Sequence, residues 1–268
     1  MTESTTEASA TDLVATTLRW DQHEPIVDAG LPPVLLVHGF ASSTALNWVA
    51  TGWVRDLTAA GRRVLTVDLL GHGTSHAPLD TDAYAPSRLR ASVLEVLAHA
   101  GARPHELGDS ASGVDLVGYS LGSRLVWELA AERPDLVNRA VLGGMSAEDP
   151  LADFDLDAAD RFLTDSTAID HESTASLMTL MQLAPGANTP ALLRLISAIK
   201  AERFEPGASV PARPMLFVTG DRDVLATGTA ELAALAADAE TLWLPARTHT
   251  NAVSSRAFKQ AAIEFLAR

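Results

Sequence analysis

Short apolar runs separated by longer amphipathic stretches set the rhythm of the chain. Pro33 opens P-V-L-L-V-H-G-F, Arg63 to Val67 is a second buried run, and Val114 to Gly118 reads V-D-L-V-G. Apolar runs of this length, rich in β-branched residues and bounded by glycine or proline, predict strands covered on both faces. Between them the spacing changes to the helical period. Trp48 to Ala60, stopped by Gly61, and Ser87 to Ala100, stopped by Gly101, are predicted helices, and Leu121 to Glu132 is a third that Pro134 ends. Leu13 to Trp20 alternates weakly and predicts an edge strand. Arg139 to Leu142 predicts a further short strand, and the small, polar stretch Ala41 to Asn47 a loop.

The alternation stops between Met145 and Ala212. An acidic run (Glu148, Asp149, Asp153, Asp155, Asp157, Asp160) is followed by two helical pieces, Ser176 to Leu183 and Pro190 to Phe204. Thr189 is the expected N-cap of the second, with Pro190 at the first helical position and Leu192, Leu195, Ile196 and Ile199 in one stripe. Strand and helix then resume over Pro214 to Thr219, Thr229 to Ala237, Thr241 to Leu244 and Val253 to Ala267. This order predicts an α/β fold with a mostly parallel central sheet and helices on both faces. Residues 13–144 and 213–268 form its core, and 145–212 are expected to be an inserted helical cap. Residues 1–12 are polar and acidic, without the basic and apolar regions of a signal peptide, and are expected to be a disordered tail.

Composition narrows the partners. With 20 Lys and Arg against 34 Asp and Glu, the net charge of −14 disfavours nucleic acid and anionic membrane surfaces. The absence of cysteine removes disulfides, thiolate metal sites and a cysteine nucleophile. No apolar run approaches the ~20 residues of a membrane span, so a cytoplasmic protein, monomer or homodimer, is expected.

The chemistry centres on V-D-L-V-G-Y-S-L-G-S-R, Val114 to Arg124. Ser120 falls where a strand turns sharply into a helix, and Gly118 and Gly122 flank it where a side chain would collide with the neighbouring elements. Such a turn pushes the hydroxyl out at the carboxyl edge of the sheet, with the N–H of Leu121 beside it to receive an oxyanion. A serine needs an imidazole to take its proton and a carboxylate to hold that imidazole. Of eight histidines, His249 follows the last predicted strand and so reaches the same edge. His23, His99, His105 and His171 fall in surface, helical or cap segments. His38 and His72 sit beside glycines in tight loops and are expected to be structural. His72 and His76 lack a helical H-E-x-x-H context, so no metal is expected. At the end of M-L-F-V-T-G, both Asp221 and Asp223 reach the correct edge.

The H-G-F loop, the D-L-L-G-H-G-T-S loop, the serine turn, the G-D-R-D turn and the late histidine, in that order, resemble the α/β-hydrolase superfamily of serine-nucleophile type over residues 13–268. The chain order Ser, Asp, His is the one known for that fold. The resemblance implies Ser120, Asp223 and His249 as a triad, selecting Asp223 over Asp221, with Asp149 as the alternative acid. It also implies the backbone N–H of Phe40 as a second oxyanion donor beside Leu121. Two positions depart from the pattern: Thr248 and Ser123 stand where relatives commonly have glycine. The elbow is similar to those of small-capped esterases, enol-lactonases and cofactor-free lyases of menaquinone synthesis.

The expected reaction is hydrolysis of a small-molecule ester or lactone, with no cofactor. Thioester, amide and carbon–carbon cleavage use the same apparatus. A lyase using His249 and Ser120 for proton abstraction, and a ligand-binding protein without turnover, are the alternatives. Trp48, Tyr119, Met178 and Met181 are candidates for the substrate pocket. Leu177, Leu180 and Leu183, on the same predicted helix as the methionines, either line an acyl pocket or pack on the core.

Overall fold

A computed structural model describes residues 18–268. Seven strands form one sheet in the order β1-β3-β2-β4-β5-β6-β7: β1 Arg19–His23, β2 Val34–Val37, β3 Val64–Asp68, β4 Val114–Tyr119, β5 Val137–Gly143, β6 Met215–Gly220 and β7 Ala239–Leu244. Among the described residues only β1 runs antiparallel, against β3. The other pairings are parallel. The helices that link them are α1 Trp53–Ala59, α2 Pro86–His99, α3 Leu121–Glu132, α4 Leu156–Asp165, α5 Glu172–Leu183, α6 Thr189–Ala201, α7 Thr229–Leu235, α8 His249–Ala252 and α9 Arg256–Leu266.

The period of two along each strand divides the core. Leu35 and Val37 of β2 join a cluster with Leu125 and Trp127 of α3 and Leu89 and Val93 of α2. Val34 and Leu36 face the other way, into a cluster with Trp53 and Leu57 of α1 and Phe258 and Phe265 of α9. Both faces of the sheet are therefore covered, which is why the strands read as continuous apolar runs.

Several element boundaries differ from the sequence pattern. The expected tail at 1–12 and the start of the strand expected from Leu13 lie outside the described residues; β1 itself begins at Arg19. Trp48 to Ala60 is two helical pieces, a π-type turn Thr44–Val49 and α1, separated at Gly52, which takes φ +81°. The turn begins inside the expected loop because Ser43 caps it, accepting from Leu46 N–H. The N-cap of α6 is Asn188, whose side chain accepts from Ala191 N–H, so Thr189 is the first helical residue. α4 forms within the acidic run, where Asp155 caps it by accepting from Ala158 N–H and Asp157 sits in the first turn, favourable beside the helix N-terminus.

One ionic cluster ties distant parts of the chain together at the end of the sheet away from Ser120. The Arg62 guanidinium, 2% exposed, donates to Asp115 Oδ2 (2.5 Å), Pro32 O (2.6 Å) and Leu266 O (3.0 Å). Asn138 Nδ2 donates to the other Asp115 oxygen at 3.0 Å. Burial pushes the Asp115 carboxyl up, and Arg62 opposes that shift.

Candidate active site

Ser120 sits at the β4–α3 junction with φ 53° and ψ −117°, a region that costs a non-glycine residue about 1–3 kcal/mol. The flanking glycines explain how the turn closes. A Cβ on Gly118 would stand 2.5 Å from Gly122 O, and one on Gly122 would stand 2.0 Å from Val37 O. The turn is thus pressed between its own helix and β2, and the serine is forced outward. Ser123, where relatives commonly have glycine, is fully buried and donates to Gly143 O at 2.9 Å. Its hydroxyl is satisfied, so the larger residue fits beneath the elbow.

His249 begins α8, and its Nδ1 lies 3.0 and 2.9 Å from the two oxygens of Asp223. Asp223 is held in the turn after β6 by accepting from Leu225 and Ala226 N–H through Oδ1. Asp221 is exposed on that turn and Asp149 is paired elsewhere, so neither is the partner of His249. Thr248 serves as the N-cap before the histidine: Asn251 Oδ1 accepts from its N–H, closing a capping box. Its φ of −100° is one any residue adopts, which is why no glycine is needed there. Tyr119 Oη donates to His249 O (2.5 Å), fastening the histidine loop to the serine strand. Burial raises the Tyr119 pKa, with Asp223 adding to the shift, so the phenol stays a donor.

Ser120 and His249 border one cavity of about 330 Å³, which Phe40, Tyr119 and Leu121 also line. Among the described residues no direct hydrogen bond joins Ser120 to His249 and no acceptor meets the N–H of Phe40 or Leu121. Both residues line the cavity. The H-G-F loop closes on the serine: a Cβ on Gly39 would lie 3.2 Å from Ser120 Cβ, and Gly39 N–H donates to Asn47 Oδ1 at 2.9 Å.

Two buried histidines support this loop. Leu69 N–H donates to His38 Nε2 (3.0 Å) and Ala41 N–H to His72 Nε2 (3.2 Å). Each ring therefore carries its proton on Nδ1, which donates to Gly39 O (2.8 Å) and Leu70 O (2.9 Å) respectively. Ala41 has φ 51°, so its hydrogen bond to His72 helps hold a strained loop residue. Burial lowers the pKa of both rings, and that of His72 falls to about 3. Burial disfavours the Asp68 carboxylate as well, yet hydrogen bonds from Thr74 and Thr44 outweigh it and lower its pKa.

These shifts predict an acid sensitivity. An unfolded histidine takes up a proton near pH 6.5, whereas folded His72 resists it to about pH 3. Between those values the unfolded state binds more protons, so stability falls as pH drops, by up to about 1.4 kcal/mol per pH unit for each such histidine. Urea midpoints from pH 7 to 5 should fall, and His72→Gln should flatten the slope. A midpoint unchanged over that window would contradict the assignment.

The pocket candidates divide. Tyr119 borders the cavity, but Trp48 is fully buried and packs edge-on against Trp53 in the other cluster, 5.5 Å between ring centroids. Leu46, Asn47 and Thr51 from the same segment line the cavity instead. On α5, Leu177, Leu180 and Leu183 line it, while Met178 and Met181 turn into the core. The helical period turns Trp48 inward although it lies close in sequence to the H-G-F loop. Among the described residues no group of three or more His, Asp or Glu side chains is arranged to hold a metal ion. No described helix is long and apolar enough to cross a membrane.

Parallel sheet, strained serine after β4, and a histidine–carboxylate pair at the same edge define an enzyme-type α/β architecture. The sequence model of the alpha/beta hydrolase fold matches residues 32–168, just over half of the chain, and the protein belongs to that family. It is 38% identical over 121 residues to the sn-1-specific diacylglycerol lipase ABHD11 of Mus musculus, covering 44% of this chain and 34% of that protein. It is 30% identical over 109 residues to the putative 2-succinyl-6-hydroxy-2,4-cyclohexadiene-1-carboxylate synthase of Bacillus subtilis, covering 41% and 35%. The matches span about a third of the length of these curated relatives. The enol-lactonase of Burkholderia xenovorans shares the fold, with TM-score 0.71 at 21% identity over 94% of this chain and 96% of that one.

Proposed function

We propose that the protein is a serine hydrolase that cleaves a carboxylic ester or lactone through an acyl-enzyme on Ser120. Asp223 accepts a hydrogen bond from the Nδ1–H of His249, which keeps the proton on Nδ1 and leaves Nε2 as the base that takes the Ser120 proton during attack on the carbonyl. The tetrahedral oxyanion is received by the N–H groups of Phe40 and Leu121. Protonated His249 then supplies the leaving alcohol with its proton, and water repeats the cycle to release the acid. Thioesters have the same electrophilic carbon and fall within this chemistry.

The observation that carries the reading is the grouping around one cavity of a strained serine, a carboxylate-held imidazole and two backbone N–H groups that meet no acceptor. The segment 145–212 supplies Leu151, Leu177, Leu180 and Leu183 to the same cavity, which supports its role as a cap over the acyl group. The lipase and enol-lactonase among the similar proteins fit acyl chemistry.

A p-nitrophenyl ester series from acetate to dodecanoate, with simple lactones beside it, tests the proposal. The value of kcat/KM should rise from acetate as the acyl chain fills the cavity lined by Leu177, Leu180 and Leu183 and fall for chains that outgrow it. Leu180→Trp should move the optimum to shorter chains. Absence of turnover across the esters and lactones in folded protein would overturn the hydrolase reading.

A further inference from the structure

The cavity that Ser120 borders is largely apolar, but besides the Tyr119 phenol four ionisable residues line it: Arg124, Glu148, Asp149 and His249. Arg124 lies one helical turn beyond Ser120 and is therefore on the same face of α3. A lone guanidinium there would make a strong carboxylate site in a poorly solvated wall. It is not alone. Asp149 Oδ2 accepts from Nη1 at 2.5 Å, Glu128 Oε1 from Nε at 3.2 Å, and Glu202 O from Nη2 at 2.6 Å, with the Phe204 ring 5.6 Å from the guanidinium carbon.

Asp149 is fixed for this task. Its Oδ1 accepts from Leu151 N–H at 3.0 Å, which aims Oδ2 at Arg124, and its side chain is 8% exposed. Glu128 is shared with Arg90, at 2.5 Å, so Asp149 is the carboxylate that both neutralises Arg124 and borders the cavity. Glu148 is exposed at the same wall, and no described cation pairs with it.

We propose that Asp149 is a specificity-determining residue: by occupying Arg124 it restricts the site to substrates with an uncharged acyl group and excludes those bearing a second carboxylate. This rests on the hydrolase reading for the reaction, but not for the binding preference. An incoming carboxylate would meet Asp149 and Glu148 without a free cation to hold it, and like charges at close range are repelled strongly. Asparagine at 149 would keep one carbonyl oxygen for Leu151 N–H and remove the charge, while its NH2, which cannot accept from Arg124, would leave Nη1 free to hold a carboxylate.

The test compares p-nitrophenyl hemisuccinate with its methyl ester, which differ in one charge at nearly the same shape. With Ser120 intact, the neutral diester should show kcat/KM at least about tenfold higher. In the Ser120→Ala protein, where chemistry is off, equilibrium titration should show the same preference as a Kd ratio. Adding Asp149→Asn should reduce that ratio at least about tenfold or invert it. Equal affinity for the two compounds in Ser120→Ala, or binding of neither, would overturn the proposal, as would an unchanged ratio in a folded Asp149→Asn protein. Should that variant not fold, the ratio in Ser120→Ala alone decides. Loss of turnover with the Kd preference intact would count against the hydrolase reading and leave the specificity assignment standing.

Discussion

Ser120→Ala is expected to lower kcat/KM for the best ester by about four to six orders of magnitude, with little change in thermal stability. Alanine removes the attacking oxygen and keeps Cβ, so the backbone remains in the same strained region, at φ 53° and ψ −117°. The elbow itself is set by contacts that the substitution does not touch. Gly122 stays against Val37 O, and Ser123 stays bonded to Gly143 O. A graded series sharpens the result. His249→Ala should cost a similar factor, because base and nucleophile act as one unit. Asp223→Asn should cost about 10⁴-fold, since an amide N–H facing Nδ1 would move the imidazole proton to Nε2 and leave no base toward Ser120. Steady-state kinetics with active-site titration measure all three. Ester turnover retained in Ser120→Ala would mean that this oxygen is not the nucleophile.

Arg62→Met should destabilise the fold by about 3–5 kcal/mol without altering the site's chemistry. Asp115 is fully buried, and Arg62 is the cation that compensates it. Removing the guanidinium also leaves Pro32 O and Leu266 O without their donor, which adds a desolvation cost at each group. For a protein of this size the change corresponds to a fall in Tm of roughly 10 °C. The double variant Arg62→Met with Asp115→Leu should recover most of the loss, because an apolar pair carries no uncompensated charge. Urea midpoints for the wild type, both single variants and the double variant form a cycle. A single-variant cost below about 1 kcal/mol would show that the pair is screened as an exposed one would be.

The sheet was legible because its central strands are covered on both faces, which writes them as mainly apolar runs with polar exceptions such as Asp115 in β4 and Arg139 in β5. The candidate site residues were legible for a related reason: in a parallel sheet, residues just after the strands share one edge, so Ser120, His249 and both Asp221 and Asp223 could be placed there from the pattern, and only the family resemblance selected Asp223. The distance of 2.9 Å between His249 Nδ1 and Asp223 Oδ2 is the structural counterpart of that placement.

What escaped the sequence depends on side-chain direction or on long separation. Trp48 shows that closeness in sequence to the H-G-F loop does not put a ring in the cavity. The helix α5 is apolar around most of its circumference, so periodicity could not distinguish Leu177 and Leu180, which reach the cavity, from Met178 and Met181, which do not. Arg62 and Asp115 are 53 residues apart, and no local pattern marks them as partners. Asp149 stood in the sequence as one carboxylate of an acidic run. Its pairing with Arg124, 25 residues away, required the fold to bring α3 beneath the inserted segment.

An activated Ser120 nucleophile should react covalently with a fluorophosphonate. Intact mass should show one adduct per chain on the wild type, peptide mapping should place it on Ser120, and both Ser120→Ala and His249→Ala should remain unlabelled. Folded wild-type protein that forms no adduct, or an adduct that survives in Ser120→Ala, would show that Ser120 is not the activated nucleophile.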